Sequence, residues 1–183
     1  ATGIAIVGKR CPIYAPVLVR DLRIANSLYL QLAVPSADVQ LVEVRNPNGQ
    51  LWTASESYTA TTDPLRYSPA IHVNQEGYVP GLPKKAMIGY YLGDLGELNV
   101  ATSLGFKIVV AGTGTLVFQG AMTVRADVGY LYTPTPYQAV LEADFSSVTA
   151  PGTYQLVVPG LGASLPFVVD EGMARNFLRT YAL

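Results

Sequence analysis

Side chains that could carry out catalysis are few and widely spaced in this sequence. The chain of 183 residues has one histidine, His72, and one cysteine, Cys11. One histidine cannot complete the usual ligand set of a zinc site, and one cysteine cannot form an internal disulfide bond. His72 lies in an apolar strand pattern, and no Gly-x-Ser-x-Gly motif supplies a serine nucleophile for it to activate. The sequence therefore predicts no metal ion, no cofactor and no serine hydrolase site.

The carboxylates are also dispersed along the chain. Hydrolysis of a glycosidic bond needs two of them, an acid and a base or nucleophile, held in one cleft. Asp144 has the most informative context, because it ends a predicted strand in the run Asp144-Phe145-Ser146. Asp and Ser side chains at such places usually bind nearby backbone amides. We therefore interpret Asp144 as a turn residue and not as a catalytic acid.

Three aromatic residues, Trp52, Tyr58 and Tyr67, could stack on sugar rings. Aromatic faces act in this way in carbohydrate recognition, although aromatic side chains more often fill cores and domain interfaces. A free-standing carbohydrate-binding module would need an exposed row of aromatics, and the spacing of the tyrosines does not predict one. A free-standing carbohydrate-binding module that acts through these residues is the alternative hypothesis.

Composition excludes several classes of protein. Half of the residues are hydrophobic, which excludes intrinsic disorder. No uninterrupted apolar run approaches the roughly 18 residues of a membrane-spanning helix. The formal net charge is -1 and basic clusters are absent, whereas nucleic-acid binding needs a positive surface. We expect a soluble protein whose partners are neither nucleic acid nor membrane.

The elements that must position these residues are short strands. Seventeen Gly and thirteen Pro separate segments rich in Val, Ile, Tyr and Leu, a rhythm typical of all-β proteins. We predict turns at 46–49, 111–114 and 159–162. We predict strands at 4–7, 17–25, 27–34, 38–45, 50–54, 70–74, 86–92, 106–110, 115–119, 121–125, 138–145, 153–158 and 163–169.

The order of these segments predicts three parts. Residues 55–69 are rich in Ser and Thr without an apolar period, so we predict a linker there. Residues 1–69 then form a small β-rich region, either an extra small sandwich or a sheet extension. Residues 70–170 have the strand number of an immunoglobulin-like β-sandwich. Residues 171–183 show helical spacing, and we interpret them as the start of a helix in a longer protein.

A series of short motifs runs through the second part in a fixed order. They are Ile71-His72-Val73-Asn74-Gln75-Glu76-Gly77-Tyr78, Pro83-Lys84-Lys85-Ala86, Asp144-Phe145-Ser146, Pro151-Gly152-Thr153-Tyr154 and Phe167-Val168-Val169. Together they resemble the N-terminal immunoglobulin-like domain of family 9 glycoside hydrolases, the cellulase and endoglucanase family. The resemblance covers residues from about 71 to 169.

The resemblance implies a non-catalytic accessory module. Catalysis in that family belongs to an (α/α)6 barrel with an Asp-Ala-Gly-Asp motif, which this chain lacks. No catalytic or metal-binding residue can therefore be transferred, and the chain alone is expected to be inactive. The implied partner is the barrel of the same parent protein, and the implied location is secreted or periplasmic. The implied parent substrate is cellulose or a related β-1,4-glucan.

The resemblance also assigns structural roles to particular residues. It implies that the module interface includes Asn74, Gln75, Gly77 and Tyr78, with Phe177 and Tyr181 from the terminal helix. The turn before Tyr154, which contains Gly152, resembles a tyrosine corner, in which the phenol binds upstream backbone. Only 14% of the residues are charged. Because interface cores are depleted in charge, we expect an exposed apolar patch around residues 74–78 and 177–183.

Overall fold

The computed structural model describes residues 5–12, 24–126, 139–173 and 175. Within these ranges the chain forms thirteen β-strands and two single-turn 3-10 helices, Gly93–Leu95 and Thr102–Leu104. The all-β prediction is therefore confirmed. Residues 172 and 173 have helical backbone, which places the start of a helical segment after the last strand. The predicted strand at 17–25 lies largely outside the described residues.

The region before residue 62 contains two separate antiparallel hairpins. The first pairs β1 (Ala5–Pro12) with β2 (Ile24–Gln31), in a register that sets Gly8 opposite Leu28. The second pairs β3 (Leu41–Arg45) with β4 (Ser57–Thr61), with Val44 opposite Tyr58. Every residue of β4 is exposed. Each hairpin is a two-stranded sheet of its own, and the second one carries the aromatic candidates Trp52 and Tyr58.

The rest of the strands form two antiparallel sheets. They are β5 (Ile71–His72), β6 (Lys85–Ile88), β7 (Phe106–Val110), β8 (Leu116–Gly120), β9 (Met122–Val124), β10 (Leu141–Asp144), β11 (Gly152–Val158), β12 (Gly162–Ala163) and β13 (Phe167–Val169). One sheet has the order β5-β6-β10-β9. The other has the order β12-β11-β7-β8, and β13 also pairs with β11. The chain passes from one sheet to the other between β8 and β9, at Ala121.

The core lies between these two sheets. Phe106 and Ile108 of β7 and Tyr154, Leu156 and Val158 of β11 alternate along their strands and belong to this core. Val109 and Val157 are also buried and form a second, smaller cluster with Ala163. The buried cluster joins residues of both sheets: Ile71, Tyr78, Ala86, Ile88, Phe106, Ile108, Met122, Leu141, Ala143, Phe145, Val148, Tyr154, Leu156, Val158, Phe167 and Val169. This arrangement agrees with the immunoglobulin-like sandwich that the sequence predicts.

The second strand of the β3–β4 hairpin differs from the prediction. We expected it at 50–54, directly after the turn at 46–49, and it begins at Ser57 instead. The turn itself forms, with the Gly49 N–H donating to the carbonyl of Asn46 at 3.1 Å. The Asn46 side chain then donates to the carbonyl of Trp52, which holds the following residues in a longer loop. Since β4 is exposed on both faces, no apolar period marked it, and the predicted linker at 55–69 therefore contains a strand.

The last predicted strand, 163–169, is interrupted. Ser164 is buried, and its hydroxyl accepts the Leu156 N–H at 3.0 Å and donates to the carbonyl of Leu165 at 2.7 Å. Pro166 follows and has no N–H to donate to a ladder. A side chain thus replaces the backbone of the partner strand at this point, and the segment divides into β12 and β13.

A tyrosine hydroxyl closes the turn before β11. The Tyr154 phenol donates to the carbonyl of Ala150 at 3.0 Å, the contact that a tyrosine corner requires. Gly152 makes room for it, because a Cβ there would lie 2.9 Å from the phenol oxygen. Tyr154 itself is buried. The corner therefore joins a turn to the core through one side chain.

Replacing Tyr154 with phenylalanine is expected to lower the free energy of unfolding by about 1 to 3 kcal/mol, because the Ala150 carbonyl loses its donor. Urea unfolding monitored by circular dichroism measures the change. Tyr67→Phe is the control, since Tyr67 is 52% exposed and the water-accessible hydroxyl costs little to remove. Equal stability of Tyr154→Phe and wild type would show that the corner contributes nothing.

Candidate module interface

Asn74 shapes the loop between β5 and β6. Its side-chain Nδ2 donates to the carbonyl of Gly77 at 2.8 Å, and its Oδ1 accepts the Glu76 N–H at 3.1 Å. The Gly77 N–H in turn donates to the Asn74 carbonyl at 3.2 Å. An amide side chain can donate and accept at once, which is why asparagine suits this position. Asn74 consequently closes the loop through both its side chain and its backbone.

Tyr78 fastens the same loop to the core. Its hydroxyl accepts the Asn74 N–H at 2.8 Å and donates to the carbonyl of Lys85 at 2.9 Å. Its ring meets Phe145 and Phe167 edge to face, with centroids 5.1 and 5.3 Å apart. Burial raises the pKa of the Tyr78 phenol, and the hydrogen bond from Asn74 opposes that rise. The phenol thus acts as a neutral structural bridge.

The 74–78 loop also contacts the strand that leads out of the sandwich. The Tyr78 N–H donates to the Val168 carbonyl at 2.8 Å, and the Asp170 N–H donates to the Tyr78 carbonyl at 3.0 Å. Gly77 has a φ of +108°, and a Cβ there would lie 2.9 Å from both the Val168 oxygen and Met173 Cε. The loop therefore packs against the point where the chain leaves β13 and turns helical.

The predicted interface residues separate into two groups. Asn74 and Gln75 are exposed, together with Glu76, whereas Gly77 and Tyr78 are buried. The expectation of an apolar patch at 74–78 is therefore wrong, because Tyr78 turns inward to bind Lys85 and the exposed residues are polar. Phe177 and Tyr181 lie outside the described residues. Several large exposed apolar side chains lie instead before β5: Ile24, Leu28, Leu32, Val34, Val39, Leu41 and Leu51.

The structure gives a role to Lys84, which belongs to one of the sequence motifs but was assigned no function from the sequence. Its side chain is fully buried, and its Nζ donates to the carbonyls of Pro80 at 2.6 Å and Leu82 at 2.8 Å. Burial lowers the pKa of the Lys84 ammonium, and the charge of Asp144 opposes that effect. Strand alternation could have found this residue, because it is in phase with the buried Ala86 and Ile88.

Asp144 occupies a turn at the end of β10. Its carboxylate accepts the Ser146 N–H at 2.9 Å, and the Ser146 hydroxyl accepts the Lys84 N–H at 2.9 Å. Hydrogen bonds from the Ser146 hydroxyl and amide hold the pKa of Asp144 below its usual value. The carboxylate is therefore ionised and bound to the backbone. Its pKa is lowered, whereas the pKa of a catalytic general acid is usually raised.

The structure brings together two of the three aromatic candidates. The rings of Trp52 and Tyr58 meet edge to face with centroids 5.6 Å apart. Tyr67 instead forms a parallel β-bridge with Ala163 of β12. Its neighbour Ser68 donates its N–H to the Ala163 carbonyl at 2.8 Å. Tyr67 therefore extends the edge of the larger sheet and does not join the aromatic pair.

The described residues hold no candidate metal site. Across 5–12, 24–126, 139–173 and 175, no three His, Cys, Asp or Glu side chains are close enough together to hold a metal ion. In those same segments, no helix has the length and apolar character needed to cross a membrane. Among the described residues, the 74–78 loop, β13 and Met173 meet at one junction.

Comparison with known proteins matches most of the sandwich to one family. The family described as the cellulase N-terminal Ig-like domain matches residues 66–163. Endoglucanase D of Acetivibrio thermocellus is 29% identical over 137 residues, which are 75% of this chain and 19% of that protein. The chain thus spans about a fifth of the length of the curated relatives that it matches.

Two solved structures are also similar. A metagenome-derived glycoside hydrolase family 9 endoglucanase has 29% identity and a TM-score of 0.43, covering 59% of this chain and 19% of its own. The Bacteroides ovatus GH9 structure has 27% identity and a TM-score of 0.43, covering 58% of this chain and 16% of its own. Since the family match spans more than half of its residues, this chain belongs to the family of cellulase N-terminal immunoglobulin-like domains.

Proposed function

We propose that this chain is the non-catalytic module that supports the catalytic (α/α)6 barrel of a secreted family 9 glycoside hydrolase. The parent enzyme would cleave β-1,4-glucosidic bonds in cellulose or a related β-glucan. Export follows from that substrate, since such polymers lie outside the cell. Residues 70–170 form the module. A β-rich region at 1–69 precedes it, and the segment at 171–183 leads from it toward the barrel.

One observation carries the proposal: the 74–78 loop is bonded to the strand from which the chain leaves the sandwich. Tyr78 exchanges backbone hydrogen bonds with Val168 and Asp170, and Gly77 lies against Met173. A loop fixed at both ends in this way presents Gln75 and Glu76 at a constant position beside the exit. A rigid, polar rim next to the connection is suited to bracing a covalently joined domain, because little conformational entropy is lost on contact.

Mixing this chain with the separately produced barrel of its parent enzyme is expected to raise the thermal midpoint of the barrel, because a partner that binds only the folded state stabilises it. Gln75→Ala should weaken that effect. Gln119→Ala is the matched control, since Gln119 is an exposed glutamine on β8. The chain alone should release no reducing sugar from β-1,4-glucan. Turnover by the purified chain, or an unchanged barrel midpoint, would contradict the proposal.

A further inference from the structure

The loop that joins β3 to β4 is ordered although nearly all of its residues are exposed. Between 46 and 56 only Asn46 is buried and only Trp52 is half-buried. The Trp52 indole N–H donates to the Glu56 carbonyl at 3.1 Å, and the Glu56 N–H donates to the Thr53 carbonyl at 3.1 Å. Asn46 binds the Trp52 carbonyl. The indole ring is therefore oriented by its own loop and not by a hydrophobic core.

The exposed aromatic surface lies beside this indole. Tyr58 is 58% exposed, although it contacts Trp52 edge to face at 5.6 Å. An edge-to-face pair covers one of the four ring faces, so that the remaining faces are free of the partner ring. A pair that served only to close a hairpin core would bury both rings. Here a preorganised aromatic platform stays open to solvent.

The side chains around the platform indicate what kind of ligand would bind to it. The loop residues 46–56 include no Lys or Arg and a single carboxylate, Glu56, and they carry the exposed amide and hydroxyl side chains of Asn48, Gln50, Thr53 and Ser55. On the adjoining strand, Glu43 and Arg45 neutralise each other through a contact of 2.7 Å. A phosphate or nucleic acid would need free cations, which the loop does not supply. A neutral, hydroxyl-rich ligand with an apolar face matches both the rings and the side chains.

We propose that the Trp52–Tyr58 platform of the β3–β4 hairpin binds a neutral glycan by ring stacking. The axial C–H groups of a pyranose present a weakly positive surface that suits the negative face of an aromatic ring. The hydroxyl groups at the sugar edge exchange hydrogen bonds with the amide and hydroxyl side chains of the loop. The expectation that the glycan is a β-1,4-glucan rests on the proposed function, whereas the neutral-glycan chemistry does not.

Titration with cellohexaose tests the site directly, because Trp52 is the sole tryptophan of the chain and its emission reports on this loop alone. We expect a saturable change in emission, with maltohexaose and mannohexaose as comparison sugars. Tyr58→Ala should weaken binding about tenfold, as expected when an aromatic anchor is truncated. Tyr58→Phe, which keeps the ring, should bind as wild type does.

Tyr67→Ala is the matched control, because Tyr67 is 52% exposed but lies beside β12. Its affinity should equal that of wild type. No emission change with any of the three sugars at millimolar concentration would overturn the proposal, and so would equal losses in Tyr58→Ala and Tyr67→Ala. Barrel stabilisation is measured in a separate assay without sugar, so the failure of either proposal is distinguishable from the failure of the other.

Discussion

Replacing Lys84 with methionine is expected to lower the free energy of unfolding by about 2 to 4 kcal/mol. The ammonium is fully buried and donates to the carbonyls of Pro80 and Leu82, with the Val79 carbonyl at 3.5 Å. Methionine keeps much of the side-chain volume but offers no donor, so these carbonyls lose their partner, and the buried contact at Pro80 is the costliest to lose. Urea unfolding of the purified chain measures the difference.

The neighbouring lysine provides the control for this experiment. Lys85 pairs with Glu142 at 2.7 Å, but its side chain is 43% exposed, and exposed ion pairs contribute little to stability. Lys85→Met should therefore leave the unfolding midpoint almost unchanged. Similar losses in the two variants would mean that the positive charge of each lysine contributes to stability and that the buried contacts of Lys84 do not.

The sequence predicts the sandwich well because apolar residues recur at the alternate, core-facing positions of its strands. The predicted and observed bounds agree at β7, Phe106–Val110, where Phe106 and Ile108 point into the core. The same alternation is missing in β4, whose five residues are all exposed, and the predicted strand was misplaced. Burial leaves a pattern in the sequence, whereas a strand held only by its backbone ladder leaves none.

The residues of the candidate site could also be predicted only in part, for a different physical reason. Asn74 and Gly77 could be identified from the motif, because an amide beside a glycine favours a tight turn. The inward direction of Tyr78 could not, since a tyrosine can either bury its hydroxyl with a partner or expose it. That choice depends on the Lys85 carbonyl, seven residues away, which only the folded chain brings within reach.

Gly77→Ala is expected to lower the free energy of unfolding by about 2 to 4 kcal/mol. The residue has a φ of +108°, a region that side chains with a Cβ rarely adopt. The new Cβ would also lie 2.9 Å from the Val168 carbonyl oxygen, which belongs to the backbone and cannot rotate away. The loop must then withdraw from β13, and the hydrogen bond from the Tyr78 N–H to Val168 is lost.

Gly81→Ala separates this cause from a general effect of replacing glycine. Gly81 lies only four residues farther along, and a Cβ there would meet nothing within 4 Å, so its stability should be unchanged or slightly raised. If the loop positions the module against its barrel, Gly77→Ala should also reduce the stabilisation of the barrel. The barrel assay is run well below the unfolding midpoint of the variant, so that the variant is folded and its own loss of stability does not explain the reduction. If the destabilised Gly77→Ala variant still stabilises the barrel, Gly77 contributes only to folding. The barrel would then contact a different part of the module.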